Sequence, residues 1–428
     1  MIWYHDSTRF LFVGDGVYEA PKGSRSTDLK TRVWTLVDSN ESWGIPPELA
    51  VQQTRHLIIF TTPPQSKRWK PLESTTVCSV FIMNPWTRKE LLQGFVQLSL
   101  FSFDSSSSFV LFSAVTHGFK DSDHQHIITM CSQFGPTPQI CYGLLENNPA
   151  LIEHKAGSQS ALGNLSLKAL QKMILDASTL NLSTVSSMLF IMKRVPEKSL
   201  RRANLEFNNI SKYVYASLEP ITHAVKVALR NQLWQETQID QFQFYSFLTS
   251  GESTMHIAGL VFKWMGHSWL QKRIKLDLFP MMESKSSTRS NQPQLRSTHG
   301  STSKTPEFSI DIQPTQMIAY PGSSQGTIEP GAYYILESET QLEVAFDSFI
   351  VIDDTLYIFR FLMVSDHPID TEILSFLPQV SLLSKVEWRY VFVVPPRSEI
   401  SCSKPQDDLI VTVPNGTSLF SAVLKEPK

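Results

Sequence analysis

The chain has 428 residues, with 38 Lys+Arg against 40 Asp+Glu and a formal net charge of −2, so no global basic field draws it to nucleic acid and any DNA contact must come from a local patch. Hydrophobic residues make up 42% and aromatic residues 11% of it, enough to bury cores in two to three domains at roughly 150 residues each. The charged share is 18%, below the ~25% of ordinary soluble domains; Ser, Thr, Asn and Gln must cover much of the surface, or partners cover part of it.

The N-terminal sequence Met1-Ile2-Trp3-Tyr4-His5-Asp6 lacks the basic segment and apolar core of a signal peptide. The most apolar stretch, Phe95 to Val115, is broken by Asp104 and by Ser105 to Ser108, short of the ~20 apolar residues of a membrane span. Cys78, Cys131, Cys141 and Cys402 form no CxxC pair, as expected of reduced thiols in an intracellular protein, cytoplasmic or nuclear.

Residues 1–150 alternate β-rich runs with polar connections. Arg32 to Asp38, Arg55 to Thr62 and Val77 to Met83 are apolar runs closed by an acid, by Pro63-Pro64 and by Asn84-Pro85-Trp86, a pattern suited to strands buried on both faces of a parallel sheet. Thr87-Arg88-Lys89-Glu90 has the spacing of a capping box and opens a short helix. Residues 151–282 predict a mainly helical domain. Ser166 caps a helix with Leu167, Leu170, Ile174 and Ala177 on one face, and further helices run from about Pro220 to Leu233 and His256 to Leu270, with one strand near Met188 to Met192. Residues 283–306 are Ser/Thr-rich without hydrophobic periodicity and read as a flexible insert. From 307 to 428, runs at Phe308 to Ile312, Phe346 to Ile352, Thr355 to Val364 and Trp388 to Val394, with a helix over Asp370 to Leu383, make an α+β pattern.

Two constellations bear on chemistry. The run ending in Asp38 suits a strand whose terminal acid reaches Mg²⁺ in a nucleotide site, and the next strand brings Thr61 and Thr62 to where a γ-phosphate is sensed. The Gly-x-x-x-x-Gly-Lys-Ser/Thr phosphate loop that such a site needs is absent: Gly14, Gly16 and Gly23 do not match it. ATP binding and hydrolysis are therefore not expected, and the nucleotide site is vestigial. In the C-terminal module, Asp347 opens one strand, Asp353-Asp354 make the turn, and Leu356 to Leu362 form the next strand. This is the layout of a PD-(D/E)xK nuclease hairpin, where an acid on the first strand and an acid or amide on the second hold Mg²⁺ and a lysine two residues on assists water. Here the second-strand positions are Arg360 and Leu362. Mg²⁺ at Asp347 would need replacement ligands, with Asp366, Glu343 or Glu337 as candidates and His367 beside them. Asp123-His124-Gln125-His126 with Cys131 has metal-like residue types but no second cluster, and Arg201-Arg202 and Lys272-Arg273 are small basic doublets for which a solvated face is the default.

In order along the chain, Val33-Trp34-Thr35-Leu36-Val37-Asp38-Ser39, Leu57 to Pro63, Asn84-Pro85-Trp86, Phe134 to Cys141, Phe346 to Ile350, Leu356-Tyr357-Ile358-Phe359 with Ser365-Asp366-His367, and Trp388 to Phe392 resemble the Crinkler and retrotransposon-hot-spot-type proteins. The resemblance implies a P-loop ATPase module followed by a restriction-endonuclease-like domain. It casts 1–150 as a truncated P-loop-like α/β module without its phosphate loop, 151–282 as the helical middle domain and 307–428 as the nuclease-like domain. Gln139 stands where an arginine is common, Arg360 where a glutamine is usual, and Leu362 where a polar residue is. The resemblance implies a degraded effector or mobile-element-associated protein, ancestrally ATP-regulated and DNA-acting, that is a pseudoenzyme inactive as an ATPase and, if active, a Mg²⁺-dependent endonuclease. The alternatives are a metal-dependent DNA nuclease using Asp347, or a protein-interaction module; DNA or another protein is the expected partner.

Overall fold

Apolar runs at both ends of the chain become strands and the middle becomes helical, giving a mixed α/β protein in which three sheets are found among the described residues. The computed structural model describes residues 2–5, 8–13, 16–19, 34–38, 57–61, 82, 84–93, 121–143, 148–178, 184–194, 216–250, 254–284, 294–297, 306, 308–320, 328–336, 346–363, 386–396, 401–403, 418–425 and 427. The chain divides into two compact units, Met1–Ala228 and Leu229–Lys428.

In the first unit, β1 (Ile2–His5), β2 (Thr8–Val13), β3 (Gly16–Glu19), β4 (Trp34–Asp38) and β5 (Leu57–Thr61) form a sheet in the order β3-β2-β1-β4-β5. The β1–β2–β3 part is an antiparallel meander, while β1, β4 and β5 run parallel. The two apolar runs read as parallel neighbours are thus paired, with Asp38 opposite Thr61 at the end of the register. The capping box at 87–90 is reciprocal: the Thr87 N–H donates to Glu90 Oε2 at 2.6 Å and the Glu90 N–H to Thr87 Oγ1 at 3.2 Å. It opens a helix over 88–93.

Helices α1 (Asp121–Phe134), α2 (Pro138–Gly143), α3 (Asn148–Gly163), α4 (Leu167–Ser178) and α5 (Thr184–Leu189) follow, then the antiparallel pair β6 (Phe190–Arg194) and β7 (Ala216–Pro220). Ser166 caps α4 as its position demands, its Oγ accepting the Ala169 N–H at 3.1 Å. Between α1 and α2 the chain turns at Gly135, with φ +95 and Ile221 side-chain atoms 2.3 Å from where a Cβ would stand; only glycine meets both conditions.

Helix α6 (His223–Gln235) contains the boundary between the units. The second unit continues with α7 (Gln238–Thr249) and α8 (Met255–Gln271), then β8 (Ile274–Ser284), β9 (Gln294–Ser297), β10 (Phe308–Ile312), β11 (Met317–Tyr320), β12 (Tyr333–Leu336), β13 (Ser348–Ile352), β14 (Thr355–Phe361), β15 (Glu387–Val394), β16 (Ser401–Ser403) and β17 (Ser418–Val423). The sheet order is β11-β12-β13-β14-β15-β17-β8-β9-β16, with β10 on β8. Strands β12, β13 and β14 are antiparallel, β14, β15 and β17 parallel, and β8 antiparallel to β17, β9 and β10. Within 283–306, the end of β8 and all of β9 are strand: Gln294 to Ser297 pair with Ser284 to Met281, while 285–293 and 298–305 lie outside the described residues. The helix expected over 370–383 and the run at 77–83, apart from Ile82, lie outside the described residues.

The β13–β14 hairpin closes on Asp353 and Asp354, both left-handed at φ 47 and φ 59, the two-residue geometry that matches strand twist and that aspartate tolerates better than most residues. The strand period then sorts the side chains. Tyr334, Phe349, Val351, Leu356, Ile358, Tyr390 and Phe392 share one core, in which Tyr334 and Phe349 stack at 4.8 Å and 8°. The alternate positions Tyr333 and Phe361 meet α8 instead. A Cβ on Gly266 of α8 would lie 2.1 Å from the Phe361 ring, so this glycine sets how closely the helix approaches β14.

Candidate functional site

Among the described residues of the second unit one carboxylate is buried. Asp347, directly before β13, is 2% exposed, and every polar atom it owns has a partner. Its main-chain N–H donates to the Phe359 carbonyl at 2.9 Å and its carbonyl accepts from Leu336 N–H at 3.2 Å. Oδ1 receives both the Lys263 ammonium at 2.8 Å and the Arg360 Nη1 at 3.0 Å, and Oδ2 accepts the Phe361 N–H at 2.7 Å. Burial alone would push this carboxyl up; Lys263 and then Arg360 outweigh it and hold Asp347 below the ordinary carboxylate range.

Lys263 reaches the carboxylate because α8 places residues four apart on one face. The next position on that face is His267. Its Nδ1 lies 2.8 Å from the Tyr333 hydroxyl, which lies 2.7 Å from Ser348 Oγ. The imidazole is fully buried and edge-on to Phe361 at 4.8 Å, and its Nε2 has no hydrogen-bond partner among the described residues. Burial first, then the Lys263 charge, depresses His267 to about 3, against a smaller opposing pull from Asp347 and with Arg230 adding to the depression; the ring is neutral at physiological pH. Burial likewise raises the Tyr333 phenol.

The sequence-derived residues divide three ways. Asp347 and Arg360 come together as the hairpin layout requires, but as an ion pair. Leu362, where a lysine would assist water, is buried and apolar. Asp38 and Thr61 are register partners at the ends of parallel strands. Thr62, Asp366, His367, Glu337 and Glu343 lie outside the described residues, as do Arg201 and Arg202. Arg273 follows α8 with left-handed φ 60 and pairs with Asp311 at 3.4 Å; Lys272 is the exposed C-cap of that helix. His126 is an exposed residue of α1.

Sequence reasoning missed Lys263, His267 and Tyr333. The signal was there for the first two: Lys263 and His267, spaced i, i+4, interrupt a helix whose Ile257, Ala258, Val261, Phe262, Trp264, Met265, Trp269 and Leu270 are all buried. Tyr333 sits in an apolar strand run with nothing to set it apart.

The donor set does not fit a divalent cation. Such an ion at Asp347 would join two cations already within 3.0 Å of the same oxygen, and like charges in a low-dielectric surround repel strongly. The second-strand position that should supply an acid or amide supplies a guanidinium. Among the described residues no group of three or more His, Cys, Asp or Glu side chains could hold a metal, and no helix is long and apolar enough to cross a membrane. Compared with known proteins, the chain matches no family model, no curated protein and no solved structure.

Proposed function

We propose that the C-terminal unit is a nuclease-like scaffold that no longer cleaves, a degraded Crinkler-type module whose surviving role is to bind DNA or another protein. The observation that carries this is the double ion pair on Asp347. The residue that would anchor a metal is instead neutralised by Lys263 and Arg360, side chains of the same unit, and its second oxygen is engaged by the Phe361 amide. A buried carboxylate saturated in this way acts as a pin between α8 and the β13–β14 hairpin rather than as a ligand. The N-terminal sheet is compatible with a nucleotide-site reading: Asp38 and Thr61 are register partners at the ends of parallel strands. The test is incubation of the full chain with supercoiled plasmid in Mg²⁺ or Mn²⁺ beside Asp347→Asn. No nicking above the level of the variant is expected; metal-dependent nicking that disappears in Asp347→Asn would restore the nuclease reading.

A further inference from the structure

The first unit holds a pair of thiols in unlike surroundings. Cys131 is in the last turn of α1 and half-buried, whereas Cys141 is in α2 and fully buried in a small cluster with Leu91 and Ile127, against which Cys131 packs. The turn at Gly135 to Thr137 folds α2 back onto α1: Gly135 N–H donates to the Cys131 carbonyl at 2.9 Å, Cys141 N–H to the Thr137 carbonyl at 2.8 Å, and the Cys141 thiol lies 3.4 Å from the Gly135 carbonyl. The two thiols also hydrogen-bond each other. Hydrogen bonding to Cys141 lowers Cys131 to about 7 despite the opposing effect of burial, and the Arg88 charge lowers it further; hydrogen bonding to Cys131, then burial and the neighbouring sulfur, push Cys141 well up. One sulfur is therefore half-buried with a lowered thiol pKa, and its neighbour is a fully buried, protonated thiol in the cluster against which it packs. These are the complementary properties of an attacking and a resolving cysteine.

We infer that Cys131 and Cys141 form a thiol-oxidation site for small hydroperoxides, with Cys131 the attacking sulfur and Cys141 the resolving one. Cys131 thiolate attacks the terminal peroxide oxygen; the O–O bond breaks, Cys131 sulfenic acid forms, and the departing alkoxide or hydroxide takes a proton from water. Cys141 then attacks the Cys131 sulfur, the S–S bond forms, and the sulfenic hydroxyl leaves as water with the Cys141 proton. Each sulfur gives up one electron, and the peroxide takes two. The product closes the α1–α2 turn covalently.

The experiment treats the reduced full-length chain with hydrogen peroxide, blocks free thiols with iodoacetamide and maps peptides by mass spectrometry. A Cys131–Cys141 linked peptide lighter by two hydrogens is expected. Before oxidation, Cys131 should alkylate at neutral pH at least about tenfold faster than Cys141. In Cys141→Ser, dimedone should label Cys131, and in Cys131→Ser it should label neither position. The wild-type result needs no variant to fold. Linkage of Cys131 to Cys78 or Cys402 instead, equal alkylation of the two thiols, or irreversible oxidation of Cys131 without a linked peptide would overturn the assignment.

Discussion

Helix α8 carries a buried polar network on each of two faces, and the two differ in kind. Toward α7, Gln241 is fully buried and satisfied by neutral groups: its amide nitrogen donates to the Leu233 carbonyl at 2.8 Å, to the Glu236 carbonyl at 3.1 Å and to Ser268 Oγ at 3.3 Å, and its carbonyl accepts the Trp269 indole N–H at 2.8 Å. Toward the sheet, Lys263 and His267 meet Asp347 and Tyr333. The neutral network ties α6, α7 and α8 together and leaves no side-chain group of its own unpaired. The charged one converges two cations on a single anion and leaves His267 Nε2 without a hydrogen-bond partner among the described residues. Full satisfaction is what packing alone selects, whereas converging charge around one buried carboxylate marks the candidate site.

That contrast can be broken by substitution. Asp347→Asn keeps the shape but leaves Lys263 and Arg360 as partly buried like charges without their anion; removing the buried partner of such a cluster costs up to about 3–5 kcal/mol. Chemical denaturation at neutral pH should show this loss, and adding Arg360→Gln should recover part of it. Strict additivity of the two changes would mean the ion pair is not coupled. The folded-state carboxyl is depressed, so its contribution is present above the ordinary aspartate range and lost as pH falls through the folded value. Wild type and Asp347→Asn should converge in acid.

Gln241→Leu leaves the Trp269 N–H unpaired and takes one of two donors from the Leu233 carbonyl, which keeps the Glu236 N–H, and the expected loss is about 1–3 kcal/mol. Because no member of that network titrates near neutrality, the loss should be the same at pH 7 and pH 5. A pH-dependent deficit would remove the distinction drawn between the two faces.

The smallest effect is also the most specific to the charged face. His267 is depressed to about 3, so its burial stabilises the fold above an unfolded value of about 6.5 and that contribution is lost as pH falls toward the folded one. Wild type should lose up to about 1.4 kcal/mol per pH unit below that point from this group, and His267→Gln should flatten the slope between pH 6 and pH 5. An unchanged slope would show that the imidazole is charged or exposed.

Much of this architecture could be read from residue order. The runs ending in Asp38 and Thr61 are parallel neighbours, the Thr87–Glu90 box and the Ser166 cap make the bonds their spacing demands, and the Asp353-Asp354 turn closes the hairpin it was expected to close. These features are local, and local chemistry determines them. Strand β9 was invisible because Gln294 to Ser297 carries no hydrophobic signature; its backbone bonds to β8, formed with residues about a dozen positions away, decide its state. The site was half legible for the same reason. Asp347 and Arg360 sit on one hairpin and could be placed opposite each other, whereas Lys263 arrives from a helix more than eighty residues earlier in the chain, and only the tertiary fold reveals that the carboxylate already has its cations.

The central claim is that Asp347 is a charge satisfied from within the protein, and its most direct test is calorimetric titration of the full chain with Mn²⁺, comparing wild type with Asp347→Asn. The account predicts superimposable heats, with no saturable binding that depends on Asp347. A stoichiometric binding event present in wild type and absent from Asp347→Asn would contradict it, because Lys263 and Arg360 would then have to give way to a metal.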